Sequence, residues 1–343
     1  MKGPFEFLYY LGYKVNTALD KSNCNRLPVP VISIGNITTG GTGKTPMTIA
    51  LATEARKRGL RPCVLTRGYG GKAMGPLFVS LEMYVEDVGD EALMMAERMS
   101  GIPVVKGVNR YESGLFALEN LHDRPDLFIL DDGFQHRKIH RDIDIVLINS
   151  RNPFGSRRLL PFGRLREPLS ELERAGVFVL TKCDDMKMPP ELYDEVRTYN
   201  SDSPVYLSRH TPSFVCNCDK TRNPMSWLRG KNVFAFSGIG EPESFVDLLE
   251  RSGANVVGVK TFRDHYAFSL LDLEKIRTLA RHENAEWLIT TEKDIMRLRK
   301  FKGEALEELL FVGLDLEVEK DFYDHVLNNI QKYVSAEDEC SST

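Results

Sequence analysis

The 343-residue sequence lacks any apolar run close to the roughly 18 residues that span a bilayer, so transmembrane anchoring is not expected. It also lacks a strong charge excess. Lys and Arg number 45 against 49 Asp and Glu, a net charge of −4, which argues against a general nucleic-acid binder and leaves room only for local basic patches. Cysteines are few and scattered: of the six, at positions 24, 63, 183, 216, 218 and 340, only Cys216 and Cys218 are close together. A C-x-C pair with no second pair or histidine cluster is a weak metal signature, and the thiols read as reduced, in the cytoplasm. The opening Met1-to-Asp20 stretch interrupts its apolar residues with Glu6 and Lys14 and has no clear cleavage site, so a secretory signal is not expected. No repeat of fixed period is present.

Against these absences stands an ordinary core-forming composition, 42 % hydrophobic and 27 % charged, in a chain long enough for two domains. From residue 28 short β-branched runs alternate with helical patterns. Strands are predicted at Val29–Ile34, Pro62–Thr66, Val104–Lys106, Leu127–Leu130, Ile143–Ile148 and Val177–Thr181, with helices at Thr45–Arg58, Asp90–Met99 and Arg110–Leu121 between them. This alternation predicts an α/β fold: a P-loop NTPase-like parallel sheet with helices on both faces. A second cycle from Asn232 predicts a smaller α/β domain, ending in a strand near Leu310–Leu314. The boundary is expected in the polar stretch between Tyr206 and Trp227. The chain thus divides into an amphipathic N-terminal segment (1–22), a P-loop domain (23–210), the smaller domain (211–330) and a disordered tail (331–343).

In the first segment Leu8, Leu11, Val15, Ala18 and Leu19 fall on one helical face, weakened by Gly12. By pattern alone that face packs on a core. The sharper alternative is a helix lying on a membrane surface.

The strongest motif is Ile34-Gly-Asn-Ile-Thr-Thr-Gly-Gly-Thr-Gly-Lys-Thr-Pro46, after a strand and before a helix. It departs from G-x-x-x-x-G-K-[ST] only in having Thr38 at the first position. Thr38, Thr39, Gly40, Gly41, Thr42 and Gly43 would wrap nucleotide phosphates in backbone N–H groups, with Gly40, Gly41 and Gly43 supplying the turns. Lys44 would reach the β- and γ-phosphates, and Thr45 would offer its hydroxyl to Mg²⁺. The following helix adds its positive end, and Pro46 suits its first turn. Downstream, the apolar strand of Leu127-Phe-Ile-Leu-Asp-Asp-Gly-Phe-Gln-His136 ends in Asp131 and Asp132, the carboxylates a Walker B site needs for Mg²⁺. His136 alone reads as structural.

Leu180-Thr-Lys-Cys-Asp184 resembles a guanine-reading motif, so a P-loop GTPase serving metallocentre assembly is the main alternative, with Cys216 and Cys218 as its metal-delivery feature. Against it, Phe134 and Gln135 stand where a D-x-x-G switch needs glycine. Arginines 151, 157, 158, 164 and 166 cluster around Pro161-Phe-Gly-Arg-Leu-Arg-Glu167. They read either as a solvated loop or as an anion-binding loop for ATP phosphates or a substrate phosphate, with Glu167 reaching Mg²⁺. Arg67 and Arg110 follow predicted strands at the edge where such sheets bind ligands. Arg110, Gln135 and Arg166 are the substrate-anion candidates, and Arg67 and Tyr69 the further nucleotide candidates. Asp90, just before an apolar helix, reads by itself as an N-cap.

Together Pro28–Pro46, Thr66-Arg-Gly-Tyr-Gly70, Val88-Gly-Asp-Glu91, Asp131–His136, Leu160–Pro168, Gly238-Ile-Gly240, Asp264-His-Tyr266 and Thr290-Thr-Glu-Lys-Asp294 resemble, in order, the tetraacyldisaccharide 4′-kinase family of lipid A synthesis. The resemblance implies ATP- and Mg²⁺-dependent phosphorylation of the 4′-hydroxyl of a tetraacylated glucosamine disaccharide 1-phosphate, giving lipid IVA. It implies that Asp90 is the catalytic aspartate and His265 its partner, brought together when the domains approach, with Lys44 at the phosphates. It also implies an acylated lipid substrate, no nucleic acid, and a cytoplasmic protein held peripherally at the inner face of the inner membrane. The N-terminal segment then gains weight as an interfacial contact. A non-enzymatic nucleotide-binding scaffold fits poorly with the motifs of Asp90 and His265.

Overall fold

The computed structural model describes residues 4–22, 24–217, 219–301, 306, 308–328 and 330. The first half contains α1 (Pro4–Ser22), β1 (Val31–Gly35), α2 (Lys44–Lys57), β2 (Pro62–Thr66), β3 (Leu77–Phe78), α3 (Val85–Val88), α4 (Asp90–Arg98), β4 (Val104–Lys106) and α5 (Arg110–Asn120). It continues with β5 (Leu127–Asp131), β6 (Ile143–Asn149), β7 (Val177–Thr181), α6 (Pro190–Tyr199) and β8 (Val205–Asn217). There follow β9 (Arg222–Pro224), β10 (Asn232–Ser237), α7 (Pro242–Arg251), β11 (Asn255–Thr261), α8 (Leu270–His282), β12 (Trp287–Thr291), α9 (Glu292–Leu298) and β13 (Leu309–Val318).

The strands join in one sheet, ordered β11-β10-β12-β13-β8-β7-β6-β1-β5-β2-β4-β3, with β9 added beside β8. Strands β1, β2, β5 and β7 are buried at every residue, as their unbroken apolar runs require when helices cover both faces. Alternation divides the side chains between two cores. Ile32 and Ile34 of β1 pack with Met47 and Leu51 of α2, whereas Val31 packs with Leu65, Leu130 and Ala117 on the opposite face. The α/β class and the parallel sheet read from the sequence are what the chain adopts.

The polar stretch expected to be a linker is largely strand. Residues Val205–Leu207 of β8 pair parallel with β7, and the remainder runs antiparallel to β13. A single strand therefore serves both halves of the molecule. Its composition hides it: Gly313 pairs with Phe214 and Leu314 with Pro212, so Ser213 bulges out, and a bulge is where proline can enter a ladder.

The chain also returns to its first core. Residues 320–328 are helical, and Phe322, Val326, Leu327 and Ile330 are fully buried in the cluster that holds Ile32 and Met47. The stretch read with the smaller unit thus closes one face of the P-loop sheet. The tail from 331, with Cys340, and Cys218 lie outside the described residues.

Helix α1 differs from the expectation that its aliphatic face packs on a core. Leu11, Val15 and Leu19 are 43 %, 60 % and 56 % exposed, and the tyrosine side faces the protein instead, with Tyr9 and Tyr10 against the cluster of Phe134 and Phe154. The side chains of Leu8 and Ala18 lie outside the described residues. No helix among the described residues is long and apolar enough to cross a membrane.

Truncating Phe322, a large side chain with no exposed surface, leaves a cavity under the P-loop sheet. Phe322→Ala is expected to cost about 3–5 kcal/mol in urea unfolding. A loss below about 1 kcal/mol would mean that 320–330 does not belong to this core.

Candidate active site

The phosphate loop leaves β1 at Gly35 and enters α2 at Lys44. Gly40 and Gly43 have φ of +110° and +85°, the left-handed region that glycine occupies without strain. Gly41 does not share that conformation, and a Cβ there would meet nothing within 4 Å, so only two of the three glycines expected to be needed for the turn are required by it. A Cβ on Gly43 would stand 3.1 Å from His210 Nε2, which seats β8 against the helix entrance. Inside the loop Asn36 Nδ2 donates to Thr42 Oγ1 at 2.8 Å. From outside, residues 164–166 run along it as a strap: Thr39 N donates to Arg164 O at 2.7 Å and Arg166 N to Ile37 O at 2.8 Å. Gln135 Nε2 adds a bond to Asn36 O at 2.7 Å.

At the end of β5, Asp131 and Asp132 are held differently. Asp131 is buried and accepts from Thr48 Oγ1 at 3.3 Å and Thr66 Oγ1 at 3.1 Å. Burial, together with the charges of Glu91 and Asp132, pushes its carboxyl up to about 7. Asp132, at φ +51°, faces Lys44 Nζ at 3.6 Å and accepts from Arg166 Nη1 at 2.9 Å. Burial alone would raise Asp132, but Lys44, Arg166 and Arg110 hold it below the usual carboxylate range. Crowded carboxylates of which one is driven toward protonation are what a divalent cation relieves, so Asp131, Asp132 and the buried Thr45 fit a Mg²⁺ ion. Among the described residues no group of three His, Cys, Asp or Glu side chains could hold a metal by itself. Glu167, expected at the metal, has an Oε2 that accepts from Arg137 at 3.0 Å and Arg174 at 2.6 Å, which removes that oxygen from metal ligation.

The arginines separate. Arg164 and Arg166 turn to the phosphate loop, whereas Arg151 pairs with Asp184, Arg157 with Glu195 and Arg158 with Glu6. Arg110, at the start of α5, is buried, and burial lowers it to about 10 despite the charges of Asp131 and Asp132. Among the described residues its Nε has no hydrogen-bond partner, so the donor can serve an anion. Arg67 is exposed beside it and acts electrostatically on both Arg110 and His136. His136 is driven down to about 3 by burial and these cations, and accepts from Arg110 N at 3.4 Å, in keeping with a structural role. Lys182 and Asp184, the side chains a guanine reader would need, are paired with Glu241 and Arg151.

The second cluster joins the two halves. Gly89, not Asp90, is the N-cap of α4, and Asp90 Oδ1 accepts from the next residue, Glu91 N, at 2.8 Å. Its Oδ2 lies 3.1 Å from His265 Nδ1 and accepts from Arg297 Nε at 2.8 Å and from Arg297 Nη2. Asp90, on α4, and His265, in the loop after β11, are thus in contact. Burial would raise Asp90, but the His265 hydrogen bond and the charges of Lys293 and Arg297 outweigh it and hold the carboxyl far below its ordinary value. His265 itself sits at φ +57°, with its Nε2 3.2 Å from Lys293 Nζ, which also donates to Glu91 at 3.0 Å. Tyr69, expected at the nucleotide, lies with its ring centroid 5.6 Å from that of His265.

Arg297 and Lys293 were not singled out in the sequence. Lys293 belongs to a quoted motif, Thr290–Asp294, but Arg297 lies beyond it on α9. Its spacing from Asp294, to which it donates at 2.7 Å, is one helical turn, and that i, i+3 pairing was the one available signal.

Because the folded-state pKa of Asp90 lies below its unfolded value near 3.9, its ionised form contributes stability in full above about pH 4 and loses it as pH falls further. Asp90→Asn is therefore expected to melt below the parent by a constant margin between pH 7 and about pH 4, with the margin narrowing below that. A margin that does not depend on pH would mean that Asp90 is not held ionised by these partners.

Known proteins point the same way as this geometry. A family described as tetraacyldisaccharide-1-P 4′-kinase matches residues 3–331. A relative named tetraacyldisaccharide 4′-kinase from Syntrophus aciditrophicus is 38 % identical, over 96 % of this chain and 94 % of its own. One of the same name from Aquifex aeolicus is 38 % identical over 88 % of this chain and 90 % of its own. A crystal structure of the "apo" form of LpxK from Aquifex aeolicus in complex with ATP superposes with a TM-score of 0.75 at 33 % identity, covering 96 % of this chain and 97 % of that one. The chain belongs to the tetraacyldisaccharide-1-P 4′-kinase family.

Proposed function

We propose that this chain transfers the γ-phosphoryl group of ATP to the 4′-hydroxyl of a tetraacylated glucosamine disaccharide 1-phosphate. The observation that carries the reading is the Asp90–His265 pair at 3.1 Å, linked through the charge of Glu91 to Asp131 beside the phosphate loop. Family membership supplies the acceptor, and the relative crystallised with ATP supports the donor.

Phosphoryl transfer asks a protein for positioning and charge neutralisation more than for covalent chemistry. Lys44, Arg166 and the buried Arg110 are the cations for phosphate oxygens, and Gly40 and Gly43 shape the backbone cradle. When bound, Mg²⁺ supplies charge neutralisation between phosphates, and Asp131, Asp132 and Thr45 are the side chains that would hold it. The acceptor hydroxyl loses its proton to the dyad as its oxygen bonds phosphorus and the bond to the departing ADP breaks. Asp90 is 4 % exposed, with Oδ2 engaged by Arg297, whereas the His265 side chain is 34 % exposed. On that ground the imidazole meets the hydroxyl, its Nε2 giving up the contact with Lys293 Nζ, and Asp90 orients it.

The acyl chains of such an acceptor stay in a bilayer, so the enzyme works at its surface. Leu11, Val15 and Leu19 on the outer side of α1 are the contact this reading uses, in a peripheral association with the cytoplasmic face.

ADP release in mixed micelles tests the activity, with and without the acylated disaccharide 1-phosphate and with ATP compared with GTP. Turnover is expected only with ATP and lipid together, and Asp90→Asn and His265→Gln should each lower it by about 10²–10⁴. Lipid-independent GTP hydrolysis would overturn the reading. For the surface contact, changing Leu11, Val15 and Leu19 together to serine is expected to shift the protein from co-sedimentation with vesicles to the supernatant. Unaltered partitioning would remove α1 from that role.

A further inference from the structure

Helix α1 has two sides with different work. Leu11, Val15 and Leu19 recur at i, i+4 and i+8 and face solvent, whereas Glu6, Tyr9 and Tyr13 recur at i, i+3 and i+7 and face the protein. The inward stripe reaches residues 158–171 and Arg137. Glu6 is buried, with Oε1 accepting from Leu159 N at 3.1 Å and Oε2 from Arg158 Nη2 at 3.2 Å. Tyr9 OH donates to Arg166 O at 3.0 Å. Arg137 Nη2 donates to Tyr13 OH at 2.8 Å and to Glu167 and Glu171 at 3.0 and 2.8 Å.

The segment so held is the one that straps the phosphate loop. Arg166 stands at the junction: its carbonyl is taken by Tyr9, its N–H by Ile37 O, and its guanidinium by Asp132. Two residues earlier, Arg164 O accepts from Thr39 N, and Arg164 Nε donates to Thr39 O at 3.2 Å. Three consecutive hydrogen-bonded layers therefore lead from α1 through residues 164–166 to the loop and the aspartate.

We infer that Glu6, Tyr9 and Tyr13 are positioning residues for the nucleotide phosphates: α1 fixes the strap, and the strap fixes the phosphate loop and Asp132. The inference rests on the phosphate-loop part of the proposed function and not on the identity of the lipid acceptor. None of the three side chains has to touch ATP. They set the backbone that does.

Tyr9→Phe removes one hydroxyl and Glu6→Gln one charge, each in the full-length chain. Calorimetric titration with Mg²⁺-ATP in the absence of lipid is expected to show dissociation constants raised about five-fold, the worth of one hydrogen bond. The KM for ATP should rise in parallel, with the KM for the disaccharide within two-fold of the parent. Lys14→Ala, which removes an exposed ammonium over the Tyr10 ring and leaves Glu6, Tyr9 and Tyr13 in place, should leave ATP affinity as it was. Thermal unfolding of each variant shows that it is folded. Unchanged ATP affinity in folded Tyr9→Phe and Glu6→Gln would overturn the inference, and so would a rise confined to the disaccharide KM. A parent that binds no ATP would overturn the phosphate-loop reading itself, whereas ATP binding without lipid phosphorylation would overturn only the acceptor.

Discussion

The buried ion pair between Arg297 and Asp90 is the constraint on which the arrangement of the two halves depends. Arg297 comes from α9 and Asp90 from α4, and both side chains are nearly inaccessible to water. Removing two charges from water is costly, and such pairs seldom add net stability over an apolar substitute. What they do is penalise misplacement: either partner left alone in that environment costs about 3–5 kcal/mol. Arg297 is itself fixed by Asp294 and Gly238 O, so the position of Asp90 is dictated by the second half of the chain. Around it lie further cross-pairs, Lys293 with Glu91, Arg98 with Glu292, Arg299 with Glu97 and Lys300 with Glu86. The interface is thus a register of charges, with the Arg297–Asp90 pair the most buried of those named.

The same logic explains why the two clusters are neighbours. Glu91 follows Asp90 in sequence, is paired with Lys293, and is among the charges that raise Asp131. One helix start therefore carries the carboxylate that meets His265 and the carboxylate felt by Asp131. The preceding loop is packed to hold that start in place: a Cβ on Gly89 would lie 2.5 Å from Tyr69 O, and Lys106 Nζ donates to Asp87 O at 2.6 Å and Ala73 O at 2.8 Å. A shift in the loop that carries Tyr69 would move Asp90 and Glu91 together.

Local signals made much of this legible. The central strands are continuous apolar runs bounded by turn residues, so their limits are visible in composition, and Pro62–Thr66, Val104–Lys106 and Val177–Thr181 were read with the bounds they have. The phosphate loop is legible because one strand, one turn and one helix determine it. What was hidden depends on distant partners. The strand β8 carries His210, Thr211, Pro212 and Ser213 in its middle and acquires its character only from β13, about a hundred residues later. Arg297 lies 207 residues from Asp90, and no spacing rule links them. For α1 the aliphatic residues were visible, but which side turns inward is decided by Arg158, Leu159 and Arg166, partners supplied by another part of the chain.

That last point has a thermodynamic corollary. On the proposed reading, a helix whose inner stripe sets the phosphate loop and whose outer stripe meets a lipid surface would be one body with two ligands. If surface contact favours the docked position of α1, ATP affinity rises by the factor through which docking improves the loop, and bound ATP must then strengthen surface contact by that same factor. The size is bounded by the few hydrogen bonds at Glu6, Tyr9 and Tyr13, each worth about 1 kcal/mol net, so the coupling can reach hundreds-fold at most and not thousands. A coupling of that size would make nucleotide binding favour enzyme already at the membrane, where an acyl-anchored acceptor has to be found. It would do so without any residue of α1 entering the chemistry.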